Sequence, residues 1–157
     1  MNETEAATPG SLDHQARRDR LRAHWEQGVA FNKACGFVVE RWDYDGVELR
    51  LSFRNDLGGH PGVFHGGVLA ALIDAAGCGS VAAGHDFDHG SSFTTIGLSV
   101  QYLGVDRGSD AVASGRCTRR GRSVNYADVV VRSAAGKLLA QGLVTVNVSA
   151  GRTAGGG

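Results

Sequence analysis

The run from His65 to Gly84, HGGVLAALIDAAGCGSVAAG, limits the folds open to this chain more than any other stretch. It is apolar on almost every side over about five helical turns, so a helix here has no face to offer water and must be wrapped by the rest of the molecule. Asp74 breaks the pattern. An isolated carboxylate in such a helix costs several kcal/mol unless it is solvated, hydrogen-bonded or kept for chemistry. One reading makes Asp74 the N-cap of a second short helix starting at Ala75. The other makes it functional, and spacing alone leaves both open.

The wrapping elements can be read on either side. Residues 37 to 53, FVVERWDYDGVELRLSF, form a predicted hairpin: Val47, Leu49, Leu51 and Phe53 alternate with polar residues after an Asp45-Gly46 turn signal. Beyond the polar loop GHDFDHGSS, strands are expected at about 93 to 103, 111 to 119, 123 to 133 and 138 to 148, with an Ala135-Gly136 turn before the last. Residues 54 to 64, RNDLGGHPGVF, read as a glycine-rich loop into the buried helix.

Ahead of the hairpin, residues 11 to 35 are expected to be one amphipathic helix capped by Ser11, with Leu21, Trp25 and Val29 at spacing four. The small polar residues 1–10 and the stretch 149–157 are expected to be disordered tails around a single domain, 11–148. The class is α+β, an antiparallel sheet curled around one central helix. Such a sheet leaves an open edge, which predicts a homo-oligomer.

Composition excludes several functions. Lys plus Arg and Asp plus Glu are balanced at 16 each, so no long-range field draws the chain to nucleic acid or a membrane surface. Cys35, Cys78 and Cys117 are odd in number and lack CxxC spacing, the pattern of reduced thiols in a soluble, cytoplasmic protein without a metal-thiolate centre. Cys78 reads as a small core residue. His85, Asp86, Asp88 and His89 are residue types that can ligate a metal, but neighbouring ligands in a polar loop usually face solvent, so no metal is expected.

Gly66 and Gly67 open the central helix, where unobstructed N–H groups and the positive end of the helix dipole suit an anion or a developing oxyanion. Gly66 and Asp74 are eight residues apart, which separates them by roughly 12 Å along one helix. One small carbonyl cannot reach both. Two copies packed antiparallel would bring Gly66 of one beside Asp74 of the other, and the small residues Ala70, Ala71, Ala75, Ala76, Gly77 and Gly79 suit that approach as well as they suit packing on the sheet.

With HGGVLAALID as its carrying motif, and TTIGLSVQYL and RRGRSVNYADVVVRSAAGKLLAQG in support, the chain from about Phe37 to Val148 resembles the hotdog-fold acyl-CoA thioesterases of the phenylacetate-pathway (PaaI-like) branch. The resemblance implies hydrolysis of an acyl-CoA to free acid and CoA without metal or dissociable cofactor, by a homodimer often paired into a tetramer. It implies that the Gly66 N–H polarises the thioester carbonyl, that His65 shapes the same loop, and that the partner's Asp74 acts as general base or nucleophile. Thr95 corresponds to the hydroxyl residue orienting the attacking water, and Arg119, Arg120, Gly121, Arg122 and Ser123 to the turn that contacts CoA.

Two positions depart from the family pattern. Gly59 stands where an amide side chain is common, which leaves either His60 beside it as a substitute carbonyl donor or Gly66 with a bound water, and Gly97 replaces a frequent polar residue, which is expected to widen the acyl pocket. Phe64, Phe93 and Tyr102 are candidate pocket walls for an aromatic or medium-length acyl group. The rival functions are a non-catalytic acyl-CoA-binding module and a hotdog hydratase; the second lacks its hydration motif, since no Asn-Pro follows Asp74.

Overall fold

The computed structural model describes residues 9–44, 46–85 and 90–150, with side chains from His14 onward. Two helices, α1 (Pro9–Ala23) and α2 (Ala30–Cys35), lead into strands β1 (Phe37–Asp43) and β2 (Gly46–Leu51). A short pair, β3 (Gly58–His60) and β4 (Val63–Phe64), precedes the central helix α3 (Gly66–Ala83). Four long strands follow: β5 (Ser92–Tyr102), β6 (Ala111–Arg120), β7 (Val124–Ser133) and β8 (Leu138–Ser149).

The six longer strands make one antiparallel sheet in the order β1-β2-β6-β7-β8-β5, and α3 packs on its inner face against β2, β5, β6, β7 and β8. Alternation explains which residues face the helix: Val47, Leu49 and Leu51 are buried on β2, as are Val144, Val146 and Val148 on β8. Glycine lets helix and sheet meet closely. A Cβ on Gly77 would lie 2.4 Å from Val144 Cγ2, and one on Gly115 would lie 2.4 Å from the Ala76 carbonyl oxygen. Much of the small-residue content of α3 therefore serves packing within the chain. By length and composition α3 could cross a bilayer, but 67% of it is buried under this sheet.

The N-terminal region differs from the single capped helix its pattern predicts. α1 already includes Pro9 and Gly10, so Ser11 lies inside it, and proline is well suited to a first helical turn because its missing N–H would have no partner there. The helix then loosens into a π-helical turn over His24–Gly28, and Val29 is extended (φ −77°, ψ 109°) before α2 begins. Gly28 permits this turn, since a Cβ there would collide with the His24 ring. α2 ends at Gly36 in the left-handed conformation (φ 80°), which glycine adopts without penalty.

This N-terminal segment covers one sheet edge. Glu26 Oε2 accepts the Val39 N–H at 2.7 Å and Arg22 Nη2 donates to the Val39 carbonyl at 3.3 Å, so the outer side of β1 is engaged by side chains. β5, at the other end of the sheet, carries exposed Ile96 (57%), Leu98 (45%) and Tyr102 (55%). The loop before α3 also differs from expectation. His65 N–H donates to the Leu57 carbonyl at 2.9 Å, closing the small β3–β4 pair. Asp45 of the predicted turn lies outside the described residues.

Candidate active site

α3 runs without interruption from Gly66 to Ala83, so Asp74 does not cap a second helix. It is half-buried in mid-helix, and Thr95 Oγ1 donates to its Oδ1 at 2.6 Å. That length suits a hydroxyl bonded to a carboxylate. The sheet sets Thr95 in place: it pairs with Val146, a fully buried inner residue, and so shares the helix-facing side of β5. A bulge at Ile96 follows at once, breaking the alternation beside the carboxylate.

Asp74 and Thr95 open into a cavity of about 570 Å³. Leu21, Trp25 and Val29 form one wall, which makes them a shared face even though the helix carrying them is broken. Phe93 joins Thr95 on the β5 side, and α3 adds Asp74 and Cys78. Trp25 Nε1 donates to the Ala75 carbonyl at 2.9 Å, and its ring lies 5.6 Å from that of Trp42. This pair rests on α3 at Gly79, where a Cβ would come within 3.1 Å of Trp25 Nε1 and 3.2 Å of Trp42 Cζ3. Cys78 is one turn from Asp74. Burial pushes its thiol up to about 12, the Asp74 charge adds to the shift, and a hydrogen bond with Thr95 opposes it. It stays a protonated thiol and offers no nucleophile.

The opening of α3 forms a second cluster. His65 Nδ1 accepts the Gly67 N–H at 2.9 Å and so caps the helix, while Tyr102 Oη donates to the Gly66 carbonyl at 2.7 Å. The Gly66 N–H has no acceptor among the described residues and lies at the positive end of the helix. A Cβ on Gly66 would come within 3.2 Å of the Tyr102 ring. A Cβ on Gly59 would come within 3.4 Å of His65 Cα, so position 59 does lie against this cluster, but glycine puts no donor there. His60 pairs with Val63 and is exposed, with no contact to the Gly66 amide among the described residues.

Three expected pocket positions fall elsewhere. Gly97 pairs with Thr145 on the outer side of the sheet, so it does not widen the cavity. Phe64 is core, edge-on to Phe53 at 5.1 Å, and Tyr102 belongs to the helix opening. Of the loop cluster at 85–89 only His85 is among the described residues; its ring is buried edge-on to Phe93, with Nε2 2.8 Å from the Gly90 carbonyl.

The arginine turn divides by role. Arg120 donates to the carbonyls of Val81 at 2.9 Å and Ser80 at 3.1 Å, satisfying the last turn of α3, and its guanidinium lies over the Tyr44 ring. It is a helix cap. Arg119 lies over the Tyr126 ring at 6.0 Å, while Arg122 and Gly121 are exposed. Ser123 is exposed too, its carbonyl accepting the Val148 N–H at 2.7 Å.

Sequence reasoning missed the contribution of the N-terminal segment: His24, Phe31 and Asn32 also line the cavity. Only the Leu21–Trp25–Val29 stripe hinted at it. For the capping role of Arg120 no signal exists in the sequence, because its partners lie about 40 residues away.

Residues 61–140 match the family model of the thioesterase superfamily. A curated protein of Halobacterium salinarum, named provisionally as an esterase, is 33% identical over 99 residues, covering 61% of this chain and 65% of that protein. This chain thus spans less than two thirds of that relative's length. A crystal structure from Shewanella oneidensis, described as related to the thioesterase superfamily, is 25% identical, with a TM-score of 0.81 over 91% of this chain and all of that one. The PaaI protein of the E. coli phenylacetic acid degradation operon is 18% identical, with a TM-score of 0.73 over 85% of this chain and 95% of its own, and shares the fold.

Proposed function

The chain belongs to the thioesterase superfamily, and on that premise we propose that it hydrolyses an acyl-CoA to the free acid and CoA at the cavity holding Asp74. The observation that carries this reading is a carboxylate held at 2.6 Å by Thr95 in a mostly apolar cavity. Asp74 accepts a proton from water as the water attacks the thioester carbonyl carbon. The oxyanion that forms is stabilised by a backbone N–H, the C–S bond breaks, and the proton passes to the departing CoA sulfur. In the alternative course an Asp74 oxygen attacks first, giving a mixed anhydride that water then hydrolyses. Thr95 orients the carboxylate and the water in either course.

The Gly66 N–H is the oxyanion donor, and because it sits roughly 12 Å along α3 from Asp74 the complete site is shared by two copies. The exposed apolar side chains of β5 support a homodimer joined along that edge. Leu143, 44% exposed on the outer sheet face, supports pairing of two dimers. Arg119, Gly121, Arg122 and Ser123 contact the CoA moiety, whereas Arg120 is taken up by α3. The acyl group is aromatic or of medium length, in keeping with the apolar walls. Three free cysteines, two of them buried, support a reducing, cytoplasmic setting.

The test is release of CoA thiol from aromatic and aliphatic acyl-CoAs by the wild type and by Asp74→Asn. Turnover that collapses in the variant is expected. Tight acyl-CoA binding without turnover on any thioester would instead make the protein a ligand-binding module.

A further inference from the structure

Gly66 and Gly67 open α3 with the residue type that has most backbone freedom to lose, at a helix end where the first N–H groups have no partner within the helix. Left to itself such a turn frays. An oxyanion donor works only when it is held in place before charge develops, so something must stiffen this turn.

The two peptide groups that meet at Gly66 Cα carry four polar atoms. The His65 carbonyl accepts the N–H groups of Val68 at 3.0 Å and Leu69 at 3.3 Å. The Gly67 N–H donates to His65 Nδ1 at 2.9 Å, and the Gly66 carbonyl accepts from Tyr102 Oη at 2.7 Å. That leaves the Gly66 N–H as the one atom of the four with no partner among the described residues. His65, Val68 and Leu69 adjoin or belong to the same turn; Tyr102 comes from the end of β5 and ties the turn to the sheet. Packing does not account for its hydroxyl, because Tyr102 is 55% exposed and a phenylalanine ring would fill the same space beside Gly66.

We infer that Tyr102 is a positioning residue for the oxyanion donor: by holding the Gly66 carbonyl, its hydroxyl fixes the direction from which the Gly66 N–H meets the thioester oxygen. The inference rests on reading Gly66 as that donor. β5 then sets both ends of the reaction, since Thr95 on the same strand holds Asp74. In a site shared by two copies, Tyr102 of one aims the donor while Thr95 of the other aims the base. A fixed N–H favours the charged tetrahedral oxygen far more than the planar carbonyl, so the hydroxyl acts on kcat and leaves KM nearly unchanged.

The experiment uses the full chain and Tyr102→Phe, with circular dichroism to check folding. Hydrolysis of phenylacetyl-CoA is followed by thiol release. Calorimetry measures binding of two CoA ketones, acetonyl-CoA, which stays planar, and trifluoroacetonyl-CoA, which hydrates to a tetrahedral carbon. The wild type should prefer the tetrahedral analogue. In Tyr102→Phe, kcat and the affinity for the tetrahedral analogue should each fall by about three- to tenfold, the scale of one neutral hydrogen bond, with KM and the planar analogue within about twofold. Tyr102→Leu, which removes ring and hydroxyl together, should lose the preference at least as far.

A merely structural Tyr102 would lower the urea midpoint and keep both kcat and the preference between analogues. An unchanged kcat in Tyr102→Phe, or a tetrahedral preference that survives there, overturns this inference and leaves the Gly66 donor standing. Hydrolysis by a wild type that binds both analogues alike would sink the Gly66 reading, and this inference with it.

Discussion

Replacing Thr95 by Val tests whether the hydroxyl acts through Asp74. The side chains are nearly the same shape and both suit a strand, so β5 keeps its pairing with Val146 and the protein should unfold within a few degrees of the wild type. The charged partner that is lost is Asp74, bonded at 2.6 Å, together with the neutral contact to the Cys78 thiol. A hydrogen bond to a charged group contributes about 1.5–3 kcal/mol. If the bond is needed to aim the carboxylate, that range corresponds to roughly a 10- to 150-fold fall in kcat/KM. Asp74→Asn, which removes the base itself, should cost on the order of a hundred-fold or more.

The informative variant is the double one. With no carboxylate left to aim, adding Thr95→Val to Asp74→Asn should change the rate by no more than about twofold. The assay is thiol release from phenylacetyl-CoA, with circular dichroism to check folding. If Thr95→Val lowers the rate by the same factor in both backgrounds, Thr95 acts independently of Asp74. If it leaves the wild-type rate unchanged, the bond has no part in catalysis.

On the β5 edge, Leu98→Asp combined with Ile96→Lys should yield a folded monomer by light scattering with hydrolysis lost; a fully active monomer would refute the shared site. Gly77→Ala drives a methyl to within 2.4 Å of Val144 Cγ2, and overpacking of this kind should destabilise the fold by about 1–3 kcal/mol, read as a lower urea midpoint. The Cys78 thiol is raised from 9.0 to about 12 in the folded chain. The folded state therefore keeps a proton the unfolded chain has lost, so the contribution is intact below pH about 9 and stability falls above it by roughly 1 kcal/mol per pH unit. Urea midpoints at pH 8 and 10.5 should converge more closely in Cys78→Ala than in the wild type.

Periodicity carried the sequence reading where burial is one-sided or complete. The alternation of Val47, Leu49 and Leu51 on β2 and of Val144, Val146 and Val148 on β8, and the unbroken apolar run of α3, have one low-energy solution each, a sheet laid on a buried helix. It fell short in the N-terminal region. There the stripe Leu21–Trp25–Val29 is helical in spacing, but a π-turn and an extended Val29 carry those side chains to the cavity. Tertiary contacts outweigh local preference at such a site: Trp25 bonds to the Ala75 carbonyl, and Glu26 and Arg22 hold the backbone of β1.

The sequence by itself determined the elements, the class of fold and the out-of-place carboxylate, because each follows from the polarity and spacing of near neighbours along the chain. Only the tertiary structure decided what those residues meet. Thr95 reaches Asp74 across 21 positions because β5 pairs with β8, Arg120 is drawn to the end of α3 instead of solvent, and Gly97 is turned to the outer face by the bulge at Ile96. Asn32 is buried against a cavity whose Asp74 and Thr95 lie far along the chain. Such meetings depend on strand register and helix packing, which are set by the whole core at once and leave no local mark in the sequence.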